Sequence, residues 1–186
     1  MGDRLYDAMF RPALLVCGLL TLLSIAPRVA ASPFGQGVFG AQVPFGSVTS
    51  LAISLGGNAA LNVVPSGSNF VGSGSHTITV TSTDVVGYNL YIYAPTNTAM
   101  VGSTATIAAS SNGTPAPLAI NSWGYNTDGS DNYLGLTTAP TLLKSADGPY
   151  ESGDDTTVTY GMLTDVTKAE GNYAVSVTYT AVAKTE

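Results

Sequence analysis

The stretch Gly171-Asn-Tyr-Ala-Val-Ser-Val-Thr-Tyr-Thr-Ala-Val-Ala-Lys184 alternates along its length. Tyr173, Val175, Val177, Tyr179 and Ala181 fall on one parity; Ser176, Thr178 and Thr180 fall on the other. Period two in β-branched and aromatic residues predicts one long strand with a single buried face. Upstream, Leu163 to Glu170 ends in a polar turn, and Gly171 stands just ahead of the strand-opening Tyr173. That layout predicts a tyrosine corner, in which the phenol bonds back to backbone a few residues earlier.

Working outward, the same alternation recurs. Thr49, Leu51, Ile53 and Leu55 alternate with Val48, Ser50, Ala52 and Ser54 up to Gly56-Gly57, and Ala59 to Val64 runs to Pro65. Ser66 to Ser75 reads as a Gly/Ser loop, and His76 to Thr83 alternates Ile78 and Val80 with threonines. Tyr88 to Ala94 is a strand broken by Pro95, with Leu90 and Ile92 opposed to Tyr91 and Tyr93, so one of the two sets faces out. Thr104 to Ser110, Leu118 to Tyr125, Tyr133 to Ala139, Thr141 to Lys144 and Thr156 to Met162 add shorter segments between turns. No helical period follows residue 31. The expectation is an all-β, two-sheet sandwich of immunoglobulin-like type over residues 48–186, with eight or nine strands.

The first residues read as an address. Ala13 to Ala26 is an apolar run too short to cross a bilayer core, which needs roughly 20 residues, and it fits the central part of a signal helix. Small residues at Val29-Ala30-Ala31 predict cleavage after Ala31, making 1–31 a signal peptide and the protein secreted. Cys17 lies inside the run with no small residue before it, so it is not a lipoprotein cysteine. Residues 32–47 form a lead-in with Pro33-Phe-Gly35, Val38-Phe-Gly40 and Pro44-Phe-Gly46. Its plain reading is a flexible linker. The sharper one starts from Phe34, Phe39 and Phe45, which are costly to leave in water and would let the segment add along a sheet edge.

Charge narrows the partners. Cleavage removes every arginine, leaving three lysines against ten carboxylates, a net of about −7. Phosphate backbones bind through several Lys or Arg, so nucleic acid is excluded, and no membrane association is expected once the signal is gone. With Cys17 removed, no disulfide is available to the exported domain. Ser and Thr supply 39 residues after Ala31, so the outer faces are hydroxylic rather than charged.

No catalytic set stands out. His76 is the sole histidine, and at the start of a strand it reads as a solvated edge residue rather than the base of a triad. Asp128, Asp131, Asp147, Glu151, Asp154 and Asp155 could pair for glycoside chemistry, but all read as solvated loop acids. The chain is therefore not expected to be an enzyme. No cofactor motif is present, and the one cation the sequence could hold is calcium. Asn126, Asp128 and Asp131 offer hard oxygen ligands around Gly129, though ordinary turn chemistry explains the same residues. Trp123, Tyr125 and Tyr133 offer flat faces for a sugar ring, against the alternative that Trp123 is the core residue between the sheets.

Val80-Thr-Ser-Thr-Asp84, Gly87-Tyr-Asn-Leu-Tyr-Ile92, Ser122-Trp-Gly-Tyr125, Thr157-Val-Thr-Tyr-Gly161 and the closing stretch together resemble uncharacterised secreted immunoglobulin-like modules of bacterial cell-surface proteins. The resemblance implies a cell-surface or extracellular setting and brings no catalytic residues. No sorting motif or hydrophobic tail precedes Glu186, so covalent wall attachment is not expected. The expected function is a non-catalytic structural or adhesive module. Its partner would be a protein or glycan at a cell surface, or a second copy of itself. The alternatives are a fibre subunit that donates its Phe/Gly segment, and a carbohydrate-binding module.

Overall fold

A computed structural model describes residues 50–184. The expected signal peptide (1–31) and lead-in (32–47), with Phe34, Phe39 and Phe45, lie outside the described residues. Ten strands follow one another: β1 (Ser50–Leu55), β2 (Asn62–Ser66), β3 (Asn69–Thr83), β4 (Gly87–Tyr93), β5 (Met100–Val101), β6 (Thr106–Ala109), β7 (Ser122–Asn126), β8 (Thr141–Asp147), β9 (Tyr150–Asp165) and β10 (Thr178–Ala183). No helix occurs among the described residues. The larger sheet has the order β1-β3-β9-β7-β6-β5, with β2 also on β3, and the smaller has the order β10-β4-β8. The all-β two-sheet expectation is met, with ten strands in place of eight or nine.

The core follows the alternation. Ile78 and Val80 of β3, Leu90 and Ile92 of β4, Trp123 of β7 and Val158 of β9 are fully buried. Tyr91 and Tyr93 take the outward parity and are half-buried beside Thr180 and Thr178 of β10. Trp123 donates its indole N–H to the Thr98 carbonyl at 3.1 Å, satisfying the one polar atom this large side chain carries inside.

Two segments differ from expectation for identifiable reasons. The expected loop 66–75 is a β2–β3 hairpin turning at Gly67, whose φ of 64° needs no side chain. Gly72 and Gly74 are there for closeness rather than flexibility. A Cβ on Gly72 would sit 2.9 Å from Val63, and one on Gly74 would overlap the Ala60 carbonyl. Pro65 lies within β2, where an edge strand tolerates its missing N–H. Likewise Glu151, Asp154 and Asp155 are strand residues, not loop acids. A turn at Gly148-Pro149 starts β9 early, and the β3–β9 register shifts between Val80 and Ser82, opposite the positive-φ Gly153.

The closing strand is shorter than its pattern. Tyr173, Val175, Val177, Tyr179 and Ala181 all pack against the core, as their parity predicts, but pairing begins only at Thr178. The cause lies across the sheet: β4 ends at Tyr93, and Pro95 follows. Among the described residues, the backbone pairing of 171–177 consists of two bonds between Ala174 and Val101, at 2.8 and 3.0 Å. The tyrosine corner is present, with the Tyr173 hydroxyl donating to the Ala169 carbonyl at 2.7 Å.

Candidate functional site

Where β10 loses its partner, the two sheets part. A cleft of about 610 Å3 opens between the β1–β2 connection (57–61) and the extended run 171–177, with Leu55 at its rim and Tyr160 and Tyr179 on its floor. His76 also lines it. The histidine does not open a strand, as the sequence suggested, but sits half-buried in the middle of β3.

His76 is held from both sides. Its Nδ1 lies 2.8 Å from the Gly57 carbonyl and its Nε2 lies 2.8 Å from the Tyr179 hydroxyl. A carbonyl only accepts, so Nδ1 carries the proton, and in the neutral ring Nε2 accepts from Tyr179. Tyr179 in turn bonds to the Tyr160 hydroxyl, completing a directed chain from Tyr160 through Tyr179 to His76. The rings of Tyr160 and Tyr179 stand 5.8 and 5.5 Å from the imidazole. Burial, with a smaller push from Tyr125, raises the Tyr160 phenol to about 12. Burial, and then the neighbouring Tyr160, raises Tyr179 further still. Both hydroxyls therefore stay neutral, and the chain ties the β1–β2 connection to the floor of the cleft.

The acids are dispersed. Asp154 accepts from the Lys144 ammonium at 2.7 Å and the Tyr88 hydroxyl at 2.6 Å. Burial works against its charge, but those two donors outweigh it and hold the carboxyl below the usual range. Burial and then Asp154 push Tyr88 up. Asp155 accepts from Thr79, and Asp147 pairs with Lys184. Among the described residues, no group of three His, Cys, Asp or Glu is placed to hold a metal.

The calcium candidates close their own loop. Asn126 is buried, its amide donating to the Ser130 and Asn132 carbonyls while its Oδ1 accepts from the Gly129 N–H. Asp128 accepts from the Ser130 N–H, and bonds from Ser130 hold its carboxyl below the usual range. Asp131 is exposed. Of the sugar candidates, Trp123 and Tyr125 are core residues, 0% and 2% exposed, and leave no face for a pyranose to stack on. Tyr133 lies over a groove made by two glycines: a Cβ on Gly161 would overlap its ring, and one on Gly124 would sit 2.9 Å from its Cβ.

The sequence reading missed the cleft. Its signal lay in the mismatch between the long alternation of 171–184 and a partner strand that stops at Pro95.

A second feature adjoins the cleft. β1 and β2 share the outer edge of the larger sheet through β3, and Ile53 and Leu55 stand on the core-facing side of β1 opposite Val80 and Ile78. They are only partly covered, 39% and 53% exposed, and Val63 and Val64 of β2 are exposed as well.

No family model matches the chain, and no curated protein matches it. A solved structure titled "Chaperone-tip adhesin complex is vital for synergistic activation of CFA/I fimbriae biogenesis" is similar over 73% of this chain and 42% of the solved one, at 9% identity and a TM-score of 0.47. The expected kinship with bacterial surface modules thus has no family match behind it, and the class defined by the coordinates is an all-β sandwich with an open edge.

Proposed function

We propose that the protein is a non-catalytic extracellular module, structural or adhesive, whose protein partners meet it at the edge where β1 and β10 lie. One observation carries this reading: the core-facing row of an edge strand, Ile53 and Leu55, is left in water. Contiguous apolar surface on an unpaired sheet edge is what association covers, and each half-exposed aliphatic side chain gains about 1 kcal/mol when sealed. The extracellular setting rests on the signal-like residues 1–31 and on a surface of hydroxyls with few charges.

A second reading, a fibre subunit that assembles by donating its Phe/Gly segment, is favoured by the run 171–177, whose backbone pairs only at Ala174 among the described residues. Sedimentation of the exported chain over a range of concentrations tests both readings. Association weakened by Leu55→Thr is expected; a chain that stays monomeric at its solubility limit and binds no surface of its own cells overturns the proposal.

A further inference from the structure

We infer that the cleft is an acceptor for one added β-strand, and that the strand is Phe39-Gly-Ala-Gln-Val-Pro-Phe45 of a second copy of this chain. The inference rests on the fibre reading above and specifies its acceptor, donor and direction.

The acceptor edge follows from strand geometry. Ala174 turns its N–H and C=O to Val101, and at the far end Lys184 donates to the Gly87 carbonyl. Both partners lie on the β4–β5 side. Backbone groups point alternately to the two sides of an extended chain. Those of Tyr173, Val175 and Val177 therefore point the other way, toward the edge that carries no partner among the described residues. The same three residues send their side chains inward against the core. An incoming strand that bonds to them must also turn its apolar side chains inward, into the cleft beside Leu55 and Tyr160.

The donor is written in the sequence. Phe39, Ala41, Val43 and Phe45 occupy one parity, and Gly40, Gln42 and Pro44 occupy the other. Four inward apolar residues match the four that line the cleft on one parity, Tyr173, Val175, Val177 and Tyr179. Direct pairing of inward residues whose backbone groups face one another occurs only in an antiparallel ladder. In that arrangement Pro44 turns its ring nitrogen away from β10, where the missing N–H breaks no ladder bond.

Reach decides which copy supplies the strand. In the antiparallel register Phe45 lies near Tyr173. His76 bridges Gly57 and Tyr179, setting these two at one level, and Ser50 lies seven residues beyond Gly57 on the side away from the cleft. Tyr173 to Ser50 is then about 40 Å along the strands. The five residue steps from Phe45 to Ser50 span at most about 18 Å. The chain cannot fill its own cleft this way. The segment leaves at one end of the sandwich and the cleft opens at the other, so each copy offers a donor and an acceptor on different surfaces. A head-to-tail contact of that kind builds an open filament wherever its rotation does not close a ring.

Full-length chains carrying either Phe39→Asp with Val43→Asp (the donor variant) or Val175→Pro (the acceptor variant) test it. Val175→Pro removes one N–H from the acceptor edge and no intramolecular bond. The wild type is expected to form a ladder of oligomers, each variant alone a monomer, and an equal mixture one-to-one dimers and nothing larger. Variants that form ladders like the wild type, or a mixture that stays monomeric while both keep wild-type tryptophan emission, overturn the inference. Should Val175→Pro not fold, a synthetic peptide of residues 37–47 added to the wild type replaces it. A shortened ladder is expected, with no change from the same peptide carrying aspartates at 39 and 43; equal effects of the two peptides overturn the inference. A ladder that survives the donor variant but is lost with Leu55→Thr leaves the edge-assembling module standing while this donor fails. A wild type that never forms one overturns this inference and the fibre reading together.

Discussion

The middle of the sandwich and its open edge are built from the same alternation and end in opposite states. In the middle, β3, β9 and β7 lie under β4, and Ile78, Val80, Leu90, Ile92, Trp123 and Val158 are fully buried. At the edge, Ile53 and Leu55 repeat the inward parity of Val80 and Ile78 but stay 39% and 53% exposed. A strand pattern thus specifies which side chains turn inward, while the count of strands in the opposing sheet decides whether inward means dry. Here the larger sheet has seven strands and the smaller has three.

The sharpest way to break the comparison is at its dry end. Trp123→Ala empties the largest fully buried position and removes the bond to Thr98. It is expected to destabilise by about 3–5 kcal/mol, with the loss read by urea unfolding. A change below about 1 kcal/mol would mean that the middle is no better packed than the edge.

Next comes the glycine groove on the far face of the larger sheet. Gly161 pairs with Gly124 of β7 and with Ser73 of β3, and Tyr133 fills the space where its side chain would be. Gly161→Val is expected to destabilise by about 1–3 kcal/mol through overpacking. Combining it with Tyr133→Ala should recover part of that loss, since the two sites touch and are not additive. Equal losses in the single and double variants would show that Tyr133 is not what the glycine accommodates.

Much of the middle was legible in the residues: Leu90 with Ile92, Ile78 with Val80, the tyrosine corner at Tyr173, and Trp123 as one of two stated alternatives. The glycines and acids were not. Gly72 and Gly74 look like linker residues because sequence does not show that Val63 and Ala60 press against them. Asp154 looks like a loop acid because its partners, Lys144 and Tyr88, arrive from another sheet. The cleft was half legible: the alternation of 171–184 and the stop at Pro95 both stand in the sequence, but that the two strands are partners does not.

Asp154 supplies the third test. Its carboxyl is held below the usual range in the folded chain, so it contributes stability that is present above the unfolded value near 4 and is lost as pH falls through the folded value. Melting temperature should therefore fall as pH drops below about 4. Asp154→Asn should lower the melting temperature at neutral pH and flatten that part of the fall. A variant whose acid profile overlays the wild type would remove Asp154 from the bonds that join the sheets.

The smallest stability effect should come from the edge, and there the comparison is most exposed. Ile53→Thr with Leu55→Thr keeps β-propensity and removes apolar surface that is already 39% and 53% in water. The expected change in unfolding free energy is within about 0.5 kcal/mol for each, as for other surface positions. The same pair should weaken self-association, because the covering of that surface is what association supplies. If instead the double variant unfolds as readily as a core variant, β1 is sealed in the free chain and the edge is not open. If it is stable and associates as the wild type does, the exposed row is a tolerated irregularity rather than an interface. The outcome that separates edge from middle is a variant that folds undisturbed and no longer finds its neighbour.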